Sequence, residues 1–195
     1  MASDLVDALE YVKRVDDLIR SISNDSWTEL HKIMLHAWEF GVRVLVIGNG
    51  GNYGNALHFE TDWTKGLYFA VGRSINIVTL GSNCLMQSAF ENDLGHENAL
   101  ASQVRMFAHE SDILLCLSAG GTSENIHRAA VVAKELNLKL IGIFGRKAKE
   151  RNLSIFDEVL LIESDDVMLI EDVTAMFGHS VKAYIEKIAK KGRKS

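Results

Sequence analysis

Arg43-Val44-Leu45-Val46-Ile47 runs directly into Gly48-Asn49-Gly50-Gly51-Asn52-Tyr53-Gly54-Asn55. After Arg43, the four residues Val44 to Ile47 form an apolar, mostly β-branched run without polar alternation, as a strand covered on both faces requires. The next eight are a Gly-rich turn, after which a helix is expected from about Asn55 to Lys65. Glycine allows a tight turn and a close approach of backbone to ligand. The helix start adds free N–H groups and a positive dipole end, which suit phosphate or polar sugar atoms. Many strand-to-helix turns are equally Gly-rich and hold nothing, so this stretch alone decides the fold but not the function.

Outward from it, the alternation continues. Ile75-Asn76-Ile77-Val78-Thr79-Leu80, Asp112 to Leu117, Leu140-Ile141-Gly142-Ile143-Phe144 and Val159-Leu160-Leu161-Ile162 read as four more strands. A closing helix is expected from about Met168 to Ala189. Strand and helix in series imply an α/β fold: a parallel sheet of five strands with helices on both faces. In such sheets ligands sit beyond the carboxyl ends of the strands, at a topological switch point. Before the first strand, Leu5, Leu9, Val12, Val15, Leu18, Ile19 and Ile22 recur at helical spacing. Ser26-Trp27-Thr28-Glu29 matches a capping box ahead of a second helix that stops near Gly41. No repeat or linker divides the 195 residues, which read as a single domain with helices over 1–41 and an α/β core over 42–195.

Composition narrows the function. Hydrophobic residues make up 47% and charged residues 24%, the balance of a soluble globule. No apolar run approaches the ~20 residues of a membrane span. Met1-Ala2-Ser3-Asp4 lacks the basic and apolar regions of a signal peptide, so the cytoplasm is the expected compartment. Net charge is −5, the wrong sign for a nucleic-acid footprint. The short basic run Lys190-Lys191-Gly192-Arg193-Lys194 reads as a solvated tail. Cys84 and Cys116 form no C-x-x-C pair, and Cys116 sits in an apolar run as a small buried hydrophobe. Proline is absent where roughly ten would be usual. The glycine pattern departs from G-x-G-x-x-G, with Tyr53 at the third position, and lacks a Walker A ending, which counts against a nucleotide site.

A second loop, Ser118-Ala119-Gly120-Gly121-Thr122-Ser123-Glu124-Asn125, again follows a strand and opens a helix. Its hydroxyls and amides suit a phosphate, though Thr122 or Ser123 would also serve as an ordinary N-cap. His58 and Asp62 are neighbours at i, i+4 on one helix face, as metal ligands, an acid/base pair or a surface hydrogen bond. Glu171 and His179 are eight residues apart, about 12 Å of helix rise. One regular helix cannot bring both to one ion, so either the helix starts after Glu171 or two subunits contribute, which favours a site at a subunit interface.

Taken in order, Gly48-Asn49-Gly50-Gly51, His58-Phe59 with Asp62, Asn92-Asp93, Leu117-Ser118 through Ser123, and Glu171 through His179 resemble the SIS (sugar isomerase) domain, and within it the phosphoheptose isomerases. The resemblance implies a flavodoxin-like three-layer sandwich, with the N-terminal helical pair serving oligomerisation, and a homotetramer with active sites at subunit interfaces. It implies aldose–ketose isomerisation of sedoheptulose 7-phosphate or a related heptose phosphate through an enediol. Asp62 and His179 fall where the family has its acid and base. His58, Asp62, Glu171 and His179 fall where it binds zinc, with another divalent metal as the alternative. Asn49, Gly50, Gly51, Asn52, Asp62, Asn92, Asp93, Ser118, Ala119, Gly120, Thr122, Ser123 and Glu171 fall where it binds substrate. Nucleic acid and membrane are not expected partners. Several positions depart from the family pattern: Asp62 for Glu, Glu171 for Gln, Asn52 for Ser, Thr174 for His, and Ala119 and Gly120 for two hydroxyl residues. The alternative is a non-catalytic sugar-phosphate-binding module like the DnaA-associating SIS proteins. Retention of His58, Asp62, Glu171 and His179 argues against it.

Overall fold

A computed structural model describes residues 2–192; Met1 and, in the basic tail, Arg193 and Lys194 lie outside the described residues. Two helices, α1 (Ala2–Ser21) and α2 (Asn24–Phe40), precede the sheet. The core then runs β1 (Val44–Gly48), α3 (Gly50–Thr61), a π-helical turn (Asp62–Gly66), α4 (Leu67–Val71) and β2 (Ile77–Thr79). It continues with α5 (Cys84–Leu94), α6 (His96–Phe107), β3 (Ile113–Ser118), α7 (Glu124–Glu135), β4 (Lys139–Gly145), a 3₁₀ turn (Arg146–Glu150), β5 (Glu158–Ile162) and α8 (Val167–Gly192).

The five strands are parallel in the order β2-β1-β3-β4-β5. The chain moves from β1 to one edge at β2, then returns to β3 on the other side of β1. The switch point therefore lies between β1 and β3, where both quoted loops emerge. Strand residues alternate between two apolar layers. Val44, Val46, Leu115, Leu117, Ile141 and Ile143 meet α2, α3, α4 and α8. Leu45, Ile47, Leu114, Cys116, Leu140 and Phe144 meet α6 and α7. Burial on both sides is what makes each strand a continuous apolar run. Cys116 is fully buried, and burial pushes its thiol well above the usual range, so it packs as a hydrophobe.

The helices depart from expectation at their starts. The capping box at Ser26 is not used: α2 begins at Asn24, with Ser23 at the N-cap and its carbonyl accepting from Trp27 N–H at 3.0 Å. Asp25 in the first turn complements the helix dipole there. Likewise α3 begins at Gly50 rather than Asn55, because Gly50 adopts φ +55° and lets the strand turn into a helix at once. The closing helix includes Glu171, so of the two geometries left open by the eight-residue spacing, a helix starting after Glu171 is excluded. Between β2 and β3, periodicity assigns nothing, yet two helices form. The first, α5, has no buried residue and hence no apolar stripe to read.

Candidate functional site

The loops after β1 and β3 are joined across the switch point by a reciprocal amide pair. Asn49 Nδ2 donates to Asn125 Oδ1 at 3.0 Å, and Asn125 Nδ2 donates back to Asn49 Oδ1 at 2.9 Å. Asn125 is buried and Asn49 half-buried at the edge of the fold, so this clamp is partly shielded from water and fixes how far the two loops can part. Asn49 thus has a structural role as well as a place at the site. Gly48 must be a glycine, since a Cβ there would lie 2.7 Å from the Asn52 carbonyl oxygen.

The loop after β3 is closed by one hydrogen bond within it and one from the end of β4. Ser118 Oγ accepts from Gly121 N–H at 3.0 Å, and Ala119 O accepts from Gly145 N–H at 3.1 Å. Arg151 holds Thr122 O at 3.0 Å. Gly120 and Thr122 lie along this turn. Ser123 takes the N-cap position of α7 as expected but makes no side-chain cap bond.

A cleft of about 350 Å³ opens at the carboxyl ends of β1 and β2. Gly48, Asn49 and Gly50 form one wall, with Tyr53, whose hydroxyl donates to Gly81 O at 2.9 Å. Gln87, Ser88 and Glu91 of α5 and His96 of α6 form the other. Asn92 and Asp93 are not part of it: both are exposed on α5, where Asn92 Nδ2 donates to Asp93 Oδ1 at 2.8 Å. Asn52 is buried and turned into the fold, with its Oδ1 3.4 Å from Asn55 Nδ2.

The second feature lies where α3 runs against α8. His58, Asp62 and His179 offer ligand atoms that all lie within 4.8 Å of one another. His58 Nε2 is 2.9 Å from His179 Nε2, and Asp62 Oδ2 is 3.7 Å from the first and 3.8 Å from the second. Two sequence features make this possible. Gly178 has no Cβ, which would otherwise sit 2.0 Å from Phe59 Cε1, so α8 can lie directly on α3. Trp63 Nε1 then donates to Gly178 O at 2.9 Å. The π-helical turn beginning at Asp62 is the kind of local widening that recurs at functional sites.

Glu171 stands apart from this trio. Its carboxylate lies over Gly51, where a Cβ would come within 2.2 Å of Oε2, and its carbonyl accepts from Asn55 Nδ2 at 2.9 Å. One chain thus brings together three of the four expected metal ligands and sends the fourth to the Gly-rich loop. None of the trio lines the cleft. Sequence reading missed Asn125 as a clamp, and missed Gln87, Glu91 and His96. The first stood inside a quoted loop; Gln87 and Glu91 lie on α5, which buries no residue, and His96 lies in the first turn of α6, ahead of its buried face.

Comparison with known proteins fits this geometry. The family described as "SIS domain" matches residues 10–145. A phosphoheptose isomerase of Clostridium acetobutylicum is 31% identical over 80% of this chain and 79% of its own length. One from Helicobacter pylori (strain P12) is 29% identical over 96% of this chain and 97% of its own. The solved structure of a phosphoheptose isomerase from Francisella tularensis superposes with a TM-score of 0.80, covering 96% of this chain and 99% of that one. At 22% identity it speaks to the fold alone. With the family match covering most of the molecule and a relative of 31% identity aligned along four-fifths of it, the chain belongs to the SIS-domain family, among its phosphoheptose isomerases.

Proposed function

We propose that this chain isomerises sedoheptulose 7-phosphate and D-glycero-D-manno-heptose 7-phosphate through an enediol. The observation that carries the reading is the gathering of His58, Asp62 and His179 in a chain whose relatives bear the name phosphoheptose isomerase. Two imidazole nitrogens and a carboxylate oxygen are the donor types of a catalytic zinc site, with a fourth position left for a water or substrate oxygen. Two facing Nε2 atoms also need a proton or a cation between their lone pairs, which fits the same donor set. His58, Asp62 and His179 are the residues that would hold zinc or another divalent cation. Such a cation, when bound, polarises the substrate carbonyl and steadies the enediolate.

The chain's own groups do the rest. Asp62 and His179 are the acid and base: one takes the proton α to the carbonyl and returns it to the neighbouring carbon, while the other carries a proton between the two oxygens. Asn49, Gly50 and Gly51 approach the sugar hydroxyls, and Glu171 over Gly51 accepts from them. Ser118, Thr122, Ser123 and the amides around Ala119 and Gly120 hold the phosphate at the start of α7, where helix N–H groups replace a cation. We take the working form to be a homotetramer, supported by the exposed Leu9 and Val12 of α1 and by α5, which buries nothing within one chain. Cytoplasm is its proposed setting, where an exposed thiol such as Cys84 stays reduced. Among the described residues no helix is long and apolar enough to cross a membrane.

The test is direct. Zinc-loaded protein incubated with sedoheptulose 7-phosphate should yield the aldose. His179→Ala should lower kcat/KM by about 10²-fold or more and release the metal by elemental analysis. Binding of the sugar phosphate without turnover by metal-loaded wild type would overturn the enzyme reading and leave a binding module.

A further inference from the structure

The wall of the cleft opposite the Gly-rich loop holds a carboxylate–imidazole pair with no assigned role. Glu91 Oε1 is 2.8 Å from His96 Nδ1 and also accepts from Gln87 Nε2 at 2.8 Å. The pair is held from behind. Gln87 Oε1 accepts from Gln103 Nε2 at 2.5 Å. Gln103 is fully buried, and its own Oε1 accepts from Gly81 N–H at 2.9 Å. Every amide in this relay has its orientation fixed by its neighbours, and the relay ends on Glu91 at the cleft. Hydrogen bonds from Gln87 and His96 hold the Glu91 carboxyl below its usual range, so it stays ionised.

An ionised Oε1 can only accept, so His96 Nδ1–H donates to it and the second ring nitrogen, Nε2, is left for another partner. Neither His96 Nε2 nor Glu91 Oε2 has a partner among the described residues. Glu91 and His96 therefore bring one acceptor and one further polar ring atom to a cleft whose facing wall is Asn49, Gly50 and the start of α3. An anion would be drawn to that helix start and repelled by Glu91; a hydroxyl chain can donate to Glu91 and pair with His96 Nε2 in either sense.

We propose that Glu91 and His96 are specificity-determining residues that hydrogen-bond the hydroxyl chain of the phosphorylated sugar, His96 through Nε2 and Glu91 through Oε2. The assignment rests on the isomerase reading above. Gln87 and Gln103 are positioning residues, acting only through Glu91.

The experiment compares wild type, His96→Ala, His96→Gln and Glu91→Gln with sedoheptulose 7-phosphate and with inorganic phosphate, by calorimetric binding and by steady-state kinetics. Both residues are partly or fully exposed, so the variants should keep the wild-type melting temperature. Loss of one hydrogen bond should weaken sugar-phosphate binding about 10-fold for His96→Ala, raising KM with kcat nearly unchanged. Phosphate binding should not weaken in any variant, and His96→Gln, whose amide both donates and accepts, should recover part of the loss. Unchanged sugar-phosphate affinity in His96→Ala and Glu91→Gln, or an equal loss of phosphate binding, overturns the assignment and leaves the isomerase reading standing. Absence of sugar-phosphate binding and turnover in the wild type overturns both.

Discussion

Gly178 and Gly51 both stand where a methyl group has no room, but the neighbours differ in what they can do. At Gly178 the obstacle is Phe59, a buried ring stacked on Trp63 with centroids 4.9 Å apart. At Gly51 it is the carboxylate end of Glu171, on a flexible side chain. Gly178→Ala should therefore force α8 away from α3. Overpacking of this kind costs about 1–3 kcal/mol, more than the ~1 kcal/mol that alanine's helix preference returns. Reduced stability in denaturant titration and weaker zinc binding should appear together, since His179 moves with its neighbour. Gly51→Ala should change stability by less than about 1 kcal/mol, because Glu171 can swing aside, but should raise KM. Equal destabilisation of the two variants would show that neighbour flexibility is not what separates them. At this scale the sequence was partly legible. The i, i+4 spacing put His58 beside Asp62, because helix geometry is local. It could not show that His179 joins them while Glu171 does not, since that depends on how α8 lies along α3.

Among the elements, α2 and α8 meet at a buried histidine. His31 is enclosed by Trp27, Phe177 and Tyr184, with Nδ1 2.7 Å from Trp27 O and Nε2 2.9 Å from Ser180 Oγ. Burial lowers its pKa, outweighing the bond to the Trp27 carbonyl. A depressed histidine pKa means that the unfolded chain binds the proton more readily than the folded one. Stability is therefore full above the unfolded pKa of about 6.5 and declines as pH falls below it, by at most about 1.4 kcal/mol per pH unit for one proton. Urea unfolding at pH 7, 6 and 5 should show this decline. His31→Gln should be less stable at pH 7 yet flatter between pH 7 and 5; a parallel fall in both proteins would assign the pH dependence elsewhere. The strands were legible because burial on both faces writes a continuous apolar run into the sequence. The helix α5 was not, since it buries no residue and no periodic stripe marks it. The Asn49–Asn125 clamp was hidden for a third reason: it joins two loops 76 residues apart, and only the strand order makes them neighbours.

Across the whole molecule, two features stand toward opposite ends of α3. The helix starts at the cleft and finishes at the trio of His58, Asp62 and His179, and none of the three reaches the cleft wall. From Gly50 at the cleft to His58 of the trio the helix rises about 12 Å, more than the length of a bond-making contact. One arrangement that joins both features at one sugar phosphate brings the trio of one copy to the loops of another. Exposed Leu85 and Phe69, together with α5, offer apolar surface for such an assembly. Complementation tests this. His179→Ala and Ser118→Ala variants, each expected to be impaired alone, are co-expressed with different tags and the mixed oligomers isolated. If one copy supplies the trio and another the phosphate loop, random assortment gives about a quarter of the sites both intact parts, so activity should return to about that fraction of wild type. If each chain builds its site alone, every site carries one defect or the other, and mixing restores nothing.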